Sequence, residues 1–295
     1  NTFSEIEVVG NASDPNYSKL QTIATPNNQN ITSMTANWNN AFGVGEGLFI
    51  GTSTGDLYYN SALGLYANCI NNNNIYPGPN VPITNQNQWV QLTNLNSSAI
   101  TSIAITPDSS YIYAGTTNGH LAALPGCDGT GFVQSNWVNP DNSAVNQIIP
   151  VNDSSFIYST ASGKIHYVVW GLYQQNDTVI YSGSPNVQLQ MVTFNGNLFW
   201  TNGISVSSCS LNNLSSNCSN TVSGYFPDAQ GIFSVNNMLV IPSSYGIYYS
   251  FEGINFGSYP SGSSSWQTSY YTVNNKLYWL NIANSSSYSL SSLNF

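Results

Sequence analysis

The chain has 295 residues, only 5% of them charged, with three lysines (Lys19, Lys164, Lys276) and no arginine against twelve carboxylates, for a formal charge of −9. A phosphate-binding surface needs clustered cations, so this balance excludes nucleic acid and anionic membranes as partners. Hydrophobic residues make up 41%, enough for a core, yet no apolar run approaches the roughly 20 residues of a membrane-spanning helix.

Taken in chain order, the pattern is that of short strands, and nothing keeps a sustained helical period. FSEIEVVG (3–10) alternates apolar and polar residues, and SKLQTIAT (18–25) follows it. Next come a strand ITSM (31–34) and a hairpin LFIGTSTGDLYY (48–59) whose turn holds Gly55. Residues 62–88, rich in Asn, Pro and Gly, cannot form a core of their own and are expected as a surface insertion in which Tyr66, Ile75 and Tyr76 offer apolar contacts. WVQLT (89–93) closes this first unit.

The same order then recurs. ITSIAI (100–105) precedes YIYAGTTNGHLAAL (111–124), QIIPV (147–151) precedes FIYSTASGKIHYVV (156–169), QMVTF (190–194) precedes LFWTNGISV (198–206), and GIFSV (231–235) precedes MLVIPSSYGIYY (238–249). SYYTV (269–273), KLYWL (276–280) and YSLSSL (288–293) end the chain. The turn glycines Gly55, Gly119, Gly163, Gly203 and Gly246 are spaced by 64, 44, 40 and 43 residues, one four-stranded blade per period with the insertion in the first interval.

The expected fold is therefore all-β, a single β-propeller over 17–295 with six four-stranded blades, or seven as the alternative. The last repeat is one strand short, and an open edge invites aggregation. The segment 18–25 is expected to supply the missing strand and close the ring. Residues 1–16 are then an N-terminal extension, with 3–10 an edge strand on the closing blade, the start of an incomplete seventh blade, or a strand added to a neighbouring subunit.

SIAITPDSSYIYAGTTNGHLAAL (102–124) resembles the repeat of YVTN-type β-propellers: an apolar strand, a Pro-Asp turn and an aromatic strand ending near Thr-Asn. The match is good in this repeat and partial in the others, which lack the Pro-Asp. The resemblance implies a propeller of the kind found on archaeal cell surfaces, and it brings no catalytic residues with it.

Solubility must rest on 43 Asn, 43 Ser and 21 Thr. Because so few groups ionise, low pH should produce little self-repulsion, which suits an extracellular and even an acidic medium. The four cysteines agree with an oxidising compartment. Cys209 and Cys218 flank a short polar loop and form the natural local pair, while Cys69 and Cys127 follow hairpins in neighbouring repeats and form the other; this is one of three possible connectivities. Nine Asn-x-Ser/Thr sequons begin at Asn11, Asn16, Asn30, Asn96, Asn152, Asn176, Asn213, Asn217 and Asn284. Composition alone would yield as many, but most fall in turns and loops, where a glycan can stand in solvent.

Catalysis has few candidates. Glu46, Asp56, Asp108, Asp128, Asp141, Asp153, Asp228 and Glu252 are the carboxylates that a glycoside hydrolase pair would draw on. Most sit in turn contexts where Asp bonds its own backbone, leaving Glu46 and Glu252 in Gly-rich connections as the pair to test. His120 and His166 lie on second strands of adjacent hairpins without a third ligand, so no metal site is expected, and no cofactor motif occurs. The paired strand aromatics Tyr58/Tyr59, Tyr248/Tyr249 and Tyr278/Trp279 read as packing, while Trp38, Tyr66, Tyr76 and Trp266 read as loop contacts. The functional expectation is a secreted or cell-surface structural glycoprotein without catalysis, self-associating into a filament or surface layer and carrying N-glycans. A carbohydrate-binding propeller is the alternative, and a glycan-active hydrolase is third.

Overall fold

The computed structural model describes residues 5–8, 21–24, 26, 29–37, 47–60, 89–106, 111–125, 135–152, 154–170, 175–214, 218, 220–243, 245–260, 266–273, 276–284 and 287–294. The chain divides into two compact units, Asn1–Phe156 and Ile157–Phe295. In the first, Glu5–Val8 pairs antiparallel with Gln21–Ala24. A four-stranded sheet follows from Ile31–Asn37, Gly47–Thr52, Asp56–Asn60 and Trp89–Asn94, and a second from Ile100–Ile105, Tyr111–Thr116, His120–Pro125 and Ser135–Val138. A third contains Val145–Asn152, Ser155–Thr160, Lys164–Trp170 and Gln175–Ser182, with the division between units inside its second strand.

The second unit continues with Gln190–Phe194, Asn197–Thr201, Ser205–Ser210 and Asn220–Tyr225. The next sheet is Phe233–Val235, Met238–Ser243, Gly246–Ser250 and Gly257–Pro260. Three strands end the described chain: Trp266–Val273, Lys276–Asn284 and Ser287–Asn294. Every sheet keeps its strands in sequence order, an order that antiparallel neighbours allow with direct connections. Among the described residues the only helical elements are isolated 3-10 turns, and no helix is long and apolar enough to cross a membrane.

At the N-terminus, Gln21–Ala24 takes Glu5–Val8 as its partner, from Glu5 opposite Ala24 to Val8 opposite Gln21.

The hairpin turns share a glycine, and the first two are built the same way throughout. The five turn glycines all have positive φ, from +80° at Gly163 to +148° at Gly246, a region that side chains with a Cβ avoid. A threonine ending the second strand clamps the turn. Thr52 Oγ1 accepts from Asp56 N (3.0 Å) and donates to the Asp56 carbonyl (3.2 Å), and Thr116 does the same with His120 at the same distances. The turn glycine carbonyl then accepts from the residue after the fourth strand, Leu95 N on Gly55 (2.8 Å) and Asn139 N on Gly119 (2.9 Å). One turn thus holds three strand ends.

Within the first unit, neighbouring sheets pack face to face. Phe49, Leu57, Tyr59, Ile100, Ile112 and Leu124 share one buried cluster. The closest approach needs a glycine, because a Cβ on Gly115 would stand 2.5 Å from Val145 Cγ1. Threonines fasten the first strands of successive sheets to one another: Thr32 Oγ1 donates to the Ile100 carbonyl at 2.6 Å, and Thr101 Oγ1 donates to the Val145 carbonyl. In the second unit, Phe194, Phe199, Val206, Phe226, Ile232, Leu239 and Ile241 form the corresponding core between two sheets. The aromatic pair Tyr58/Tyr59 is buried, with Tyr59 against Phe49 at 4.8 Å between ring centroids.

Candidate functional site

The residue that follows the turn glycine is polar in three successive sheets: Asp56, His120 and Lys164. Asp56 is buried at the start of its strand. Its Oδ1 accepts from Gln91 Nε2 and Asn94 Nδ2, both at 2.6 Å, and its Oδ2 accepts from Thr54 Oγ1 at 2.9 Å and Gln29 Nε2 at 3.0 Å. Burial pushes the carboxyl up, but the hydrogen bonds from Asn94, Gln29 and Thr54 together outweigh it and hold it below its ordinary value of 3.8. With both oxygens doubly engaged by neutral donors, the carboxylate binds three chain segments together, around Gln29, its own turn and the strand Trp89–Asn94.

His120 is half-buried at the equivalent turn. Asn96 Nδ2 lies 3.0 Å from its ring nitrogens, and Ser98 Oγ lies 2.7 Å from Thr117 Oγ1. Asn96 and Ser97 both adopt φ of +54°, so this connection presents a polar, tightly turned surface.

His166 occupies a different environment. It is fully buried, with Nδ1 2.8 Å from Asp177 Oδ1, and Asp177 is itself nearly covered. Tyr158 donates its hydroxyl to Asp177 Oδ2 at 2.5 Å and stacks on the imidazole at 4.5 Å, 12° from parallel. This Tyr-Asp-His network spans three strands of one sheet. Its burial makes it a structural element, out of reach of any substrate in solution. Asp177 was absent from the candidate carboxylates, although an Asp inside a strand is itself unusual and could have drawn notice beside a strand histidine.

Of the remaining carboxylates, Asp228 and Glu252 are exposed and Asp141 is half-buried in a turn made by Asn139. Glu46, Asp108, Asp128 and Asp153 lie outside the described residues, so the Glu46 and Glu252 pair does too. Among the described residues no three His, Cys, Asp or Glu side chains group as they would around a metal ion. Of the loop aromatics, Trp38, Tyr66 and Tyr76 lie outside the described residues.

Cys209 and Cys218 form a disulfide with Cα atoms 5.2 Å apart, beside a 3-10 turn Leu211–Asn213 capped by Ser210. Cys69 and Cys127 fall outside the described residues. Among the sequons, Asn30, Asn96, Asn152, Asn176 and Asn213 are all exposed. Asn284 is described in its strand backbone, and Asn11, Asn16 and Asn217 are outside the described residues.

No protein-family model and no curated protein matches the sequence. Solved structures do. A catalytically inactive virginiamycin B lyase from Staphylococcus aureus with quinupristin aligns at a TM-score of 0.62 and 10% identity, over 94% of this chain and 85% of that one. A streptogramin B lyase aligns at 0.60 and 9%, over 94% and 83%. The β-propeller domain of Cps50 (Swd1) from Myceliophteria thermophila aligns at 0.58 and 10%, over 86% and 80%. With its repeated four-stranded antiparallel sheets, the chain is a β-propeller. At these identities the likeness extends to the fold alone, which enzymes and other propellers share.

Proposed function

We propose that this propeller is an extracellular structural glycoprotein, non-catalytic, of the surface type that the YVTN-like repeat suggests, and a subunit of an ordered filament or surface layer. The observation that carries this reading is the exposure of all five sequon asparagines whose side chains are described, Asn30, Asn96, Asn152, Asn176 and Asn213. Each can accept a glycan without displacing core. The disulfide Cys209–Cys218 supports an oxidising compartment. The buried polar clusters support the absence of catalysis, since Asp56 and the Tyr158, Asp177 and His166 network spend their bonding capacity on one another.

Two measurements on material from the source test this reading. Glycopeptide mass spectrometry is expected to find glycans at several of the five exposed sequons, and electron microscopy is expected to find the protein in a regular array. Bare asparagines with a dispersed monomer would refute the proposal. The alternative, a carbohydrate-binding propeller, draws on the exposed Tyr245 ring; selective retention on a glycan array would favour it.

A further inference from the structure

Three Asn-Gly pairs stand in the sequence, Asn118-Gly119, Asn195-Gly196 and Asn202-Gly203, and the fold treats them differently. An asparagine followed by glycine is open to ring closure, in which the glycine nitrogen attacks the asparagine side-chain carbonyl carbon, because glycine has no Cβ to crowd the approach. Closure needs that nitrogen free of an internal acceptor and the side-chain amide free to turn toward it.

Two of the pairs are held. Gly119 N donates to the Thr116 carbonyl (3.2 Å), and Asn118 Oδ1 accepts from Thr116 Oγ1 at 2.6 Å. Gly119 is also buried, with Asn139 Nδ2 2.8 Å from where a Cβ would stand. Gly203 N donates to Thr201 Oγ1 (3.1 Å). Asn202 Oδ1 accepts from Ile204 N (3.1 Å), Ser205 N (2.8 Å) and Ser205 Oγ (3.1 Å). Both asparagines thus spend their side chains on their own turns, and both attacking nitrogens are engaged.

Asn195-Gly196 is the exception. It is the turn between Gln190–Phe194 and Asn197–Thr201, with both residues exposed and φ of +47° and +72°. Among the described residues nothing accepts from Gly196 N, and no atom beyond the chain neighbours comes within 4 Å of a Cβ built on Gly196. Solvent therefore reaches the nitrogen. The Asn195 side chain makes one long bond, Nδ2 to the Phe251 carbonyl at 3.3 Å, which leaves its own carbonyl uncommitted. The turn is held by Leu211 N on the Gly196 carbonyl and by Asn197 Nδ2 on the Asn195 carbonyl, both at 3.0 Å. Neither bond occupies a reacting atom.

We propose that Asn195 is a site of spontaneous deamidation, independent of the assembly reading above. The Gly196 nitrogen gives its proton to solvent and bonds to Asn195 Cγ, the Cγ–Nδ2 bond breaks, and ammonia leaves. Water then opens the cyclic imide to aspartate or isoaspartate, so one water is consumed for each ammonia released and nothing is oxidised or reduced. The product adds a negative charge beside exposed Glu252 and sets an acceptor against the Phe251 carbonyl where a donor stood. Isoaspartate also routes the main chain through Cβ, and the added backbone atom displaces the pairing of Phe194 with Asn197 that closes the turn. Because the reacting species is the deprotonated backbone amide, the rate rises about tenfold per pH unit near neutrality. In acid the site is quiet.

The test incubates the full folded chain at acid and at mildly alkaline pH, and the urea-unfolded chain at the same alkaline pH. Each sample is digested and mapped by mass spectrometry, with isoaspartate identified by enzymatic carboxyl methylation. In the folded chain at alkaline pH, the peptide holding Asn195 is expected to gain one mass unit and to accept methyl groups. Asn118 and Asn202 are expected to convert more slowly by about tenfold or more, since each must first release a hydrogen bond at the attacking nitrogen. In urea those bonds are gone, and all three are expected to convert at similar rates. Hydrogen exchange on the aged protein is expected to quicken at Phe194, Asn197 and the loop that follows Ser250. The proposal is overturned if Asn195 in the folded chain converts no faster than Asn118 or Asn202, or if its rate does not rise with pH. Differences among the three that persist unchanged in urea would also overturn it, because local sequence and not the fold would then set the rates.

Discussion

Replacing Asp56 by Asn changes one oxygen into an NH2 group inside a cage of four donors. Gln91 and Asn94 approach one oxygen at 2.6 Å, and Gln29 and Thr54 approach the other at 3.0 and 2.9 Å. Whichever way the new amide turns, two donors face another donor. Hydrogen bonds to a charged group contribute about 1.5–3 kcal/mol each, so losing two gives about 3–6 kcal/mol, and reorientation of the Thr54 hydroxyl or the Gln29 amide brings the expected loss toward about 3 kcal/mol. At about 2–4 °C per kcal/mol for a domain of this size, Asp56→Asn should melt about 6–12 °C below the unaltered protein at pH 7. The pH dependence has a definite sign. The folded-state carboxyl sits below its ordinary 3.8, so its stabilisation is present above that value and disappears as pH falls through the folded-state value. The gap between the two proteins should be constant from pH 7 to about pH 5 and narrow below about pH 4. Thermal and urea unfolding across this range provide the assay. Equal stability at pH 7, or a gap that widens in acid, would refute the account of Asp56 as a structural carboxylate.

Other perturbations separate the remaining elements. Gly115→Ala places a Cβ 2.5 Å from Val145 Cγ1 and should lower urea-unfolding stability by about 1–3 kcal/mol through overpacking; an unchanged midpoint would show that the neighbouring first strand yields freely. Tyr158→Phe deletes the hydroxyl that donates to Asp177 and should cost about 1.5–3 kcal/mol, read from the same unfolding curves. Cys209→Ser with Cys218→Ser opens a loop closed across nine residues, for which chain entropy predicts a loss of about 2–3 kcal/mol; mild reductant should lower the melting temperature of the parent by more than that of the double variant, in which only Cys69 and Cys127 are left to respond.

Much of the propeller was readable along the chain because its determinants are local. A threonine, two small residues and a glycine, as in Thr52 to Gly55 and Thr116 to Gly119, close a turn with bonds spanning four residues. The strands before each hairpin were equally legible, Ile100–Ile105 and Gln190–Phe194 falling where alternation placed them. The polar networks were not. The Asp56 donors come from positions 27, 35 and 38 residues away, and the turn context that marked Asp56 as a backbone-bonding residue says nothing of them. Asp177 meets His166 only because an irregular register between Ile165 and His166 sets their strands.

The partner of Gln21–Ala24 shows the same boundary. Alternation marks a segment as a strand, because side-chain direction repeats every two residues whatever lies beside it. It does not say which strand will lie beside it, and the pairing of Gln21–Ala24 with Glu5–Val8 comes from the fold. Composition and period were therefore sufficient for the class of fold, the turn chemistry and the scarcity of charge. The cage around Asp56 and the buried Tyr158, Asp177 and His166 network arise only when separate strands are laid side by side, since each depends on distances between residues that the linear order leaves free.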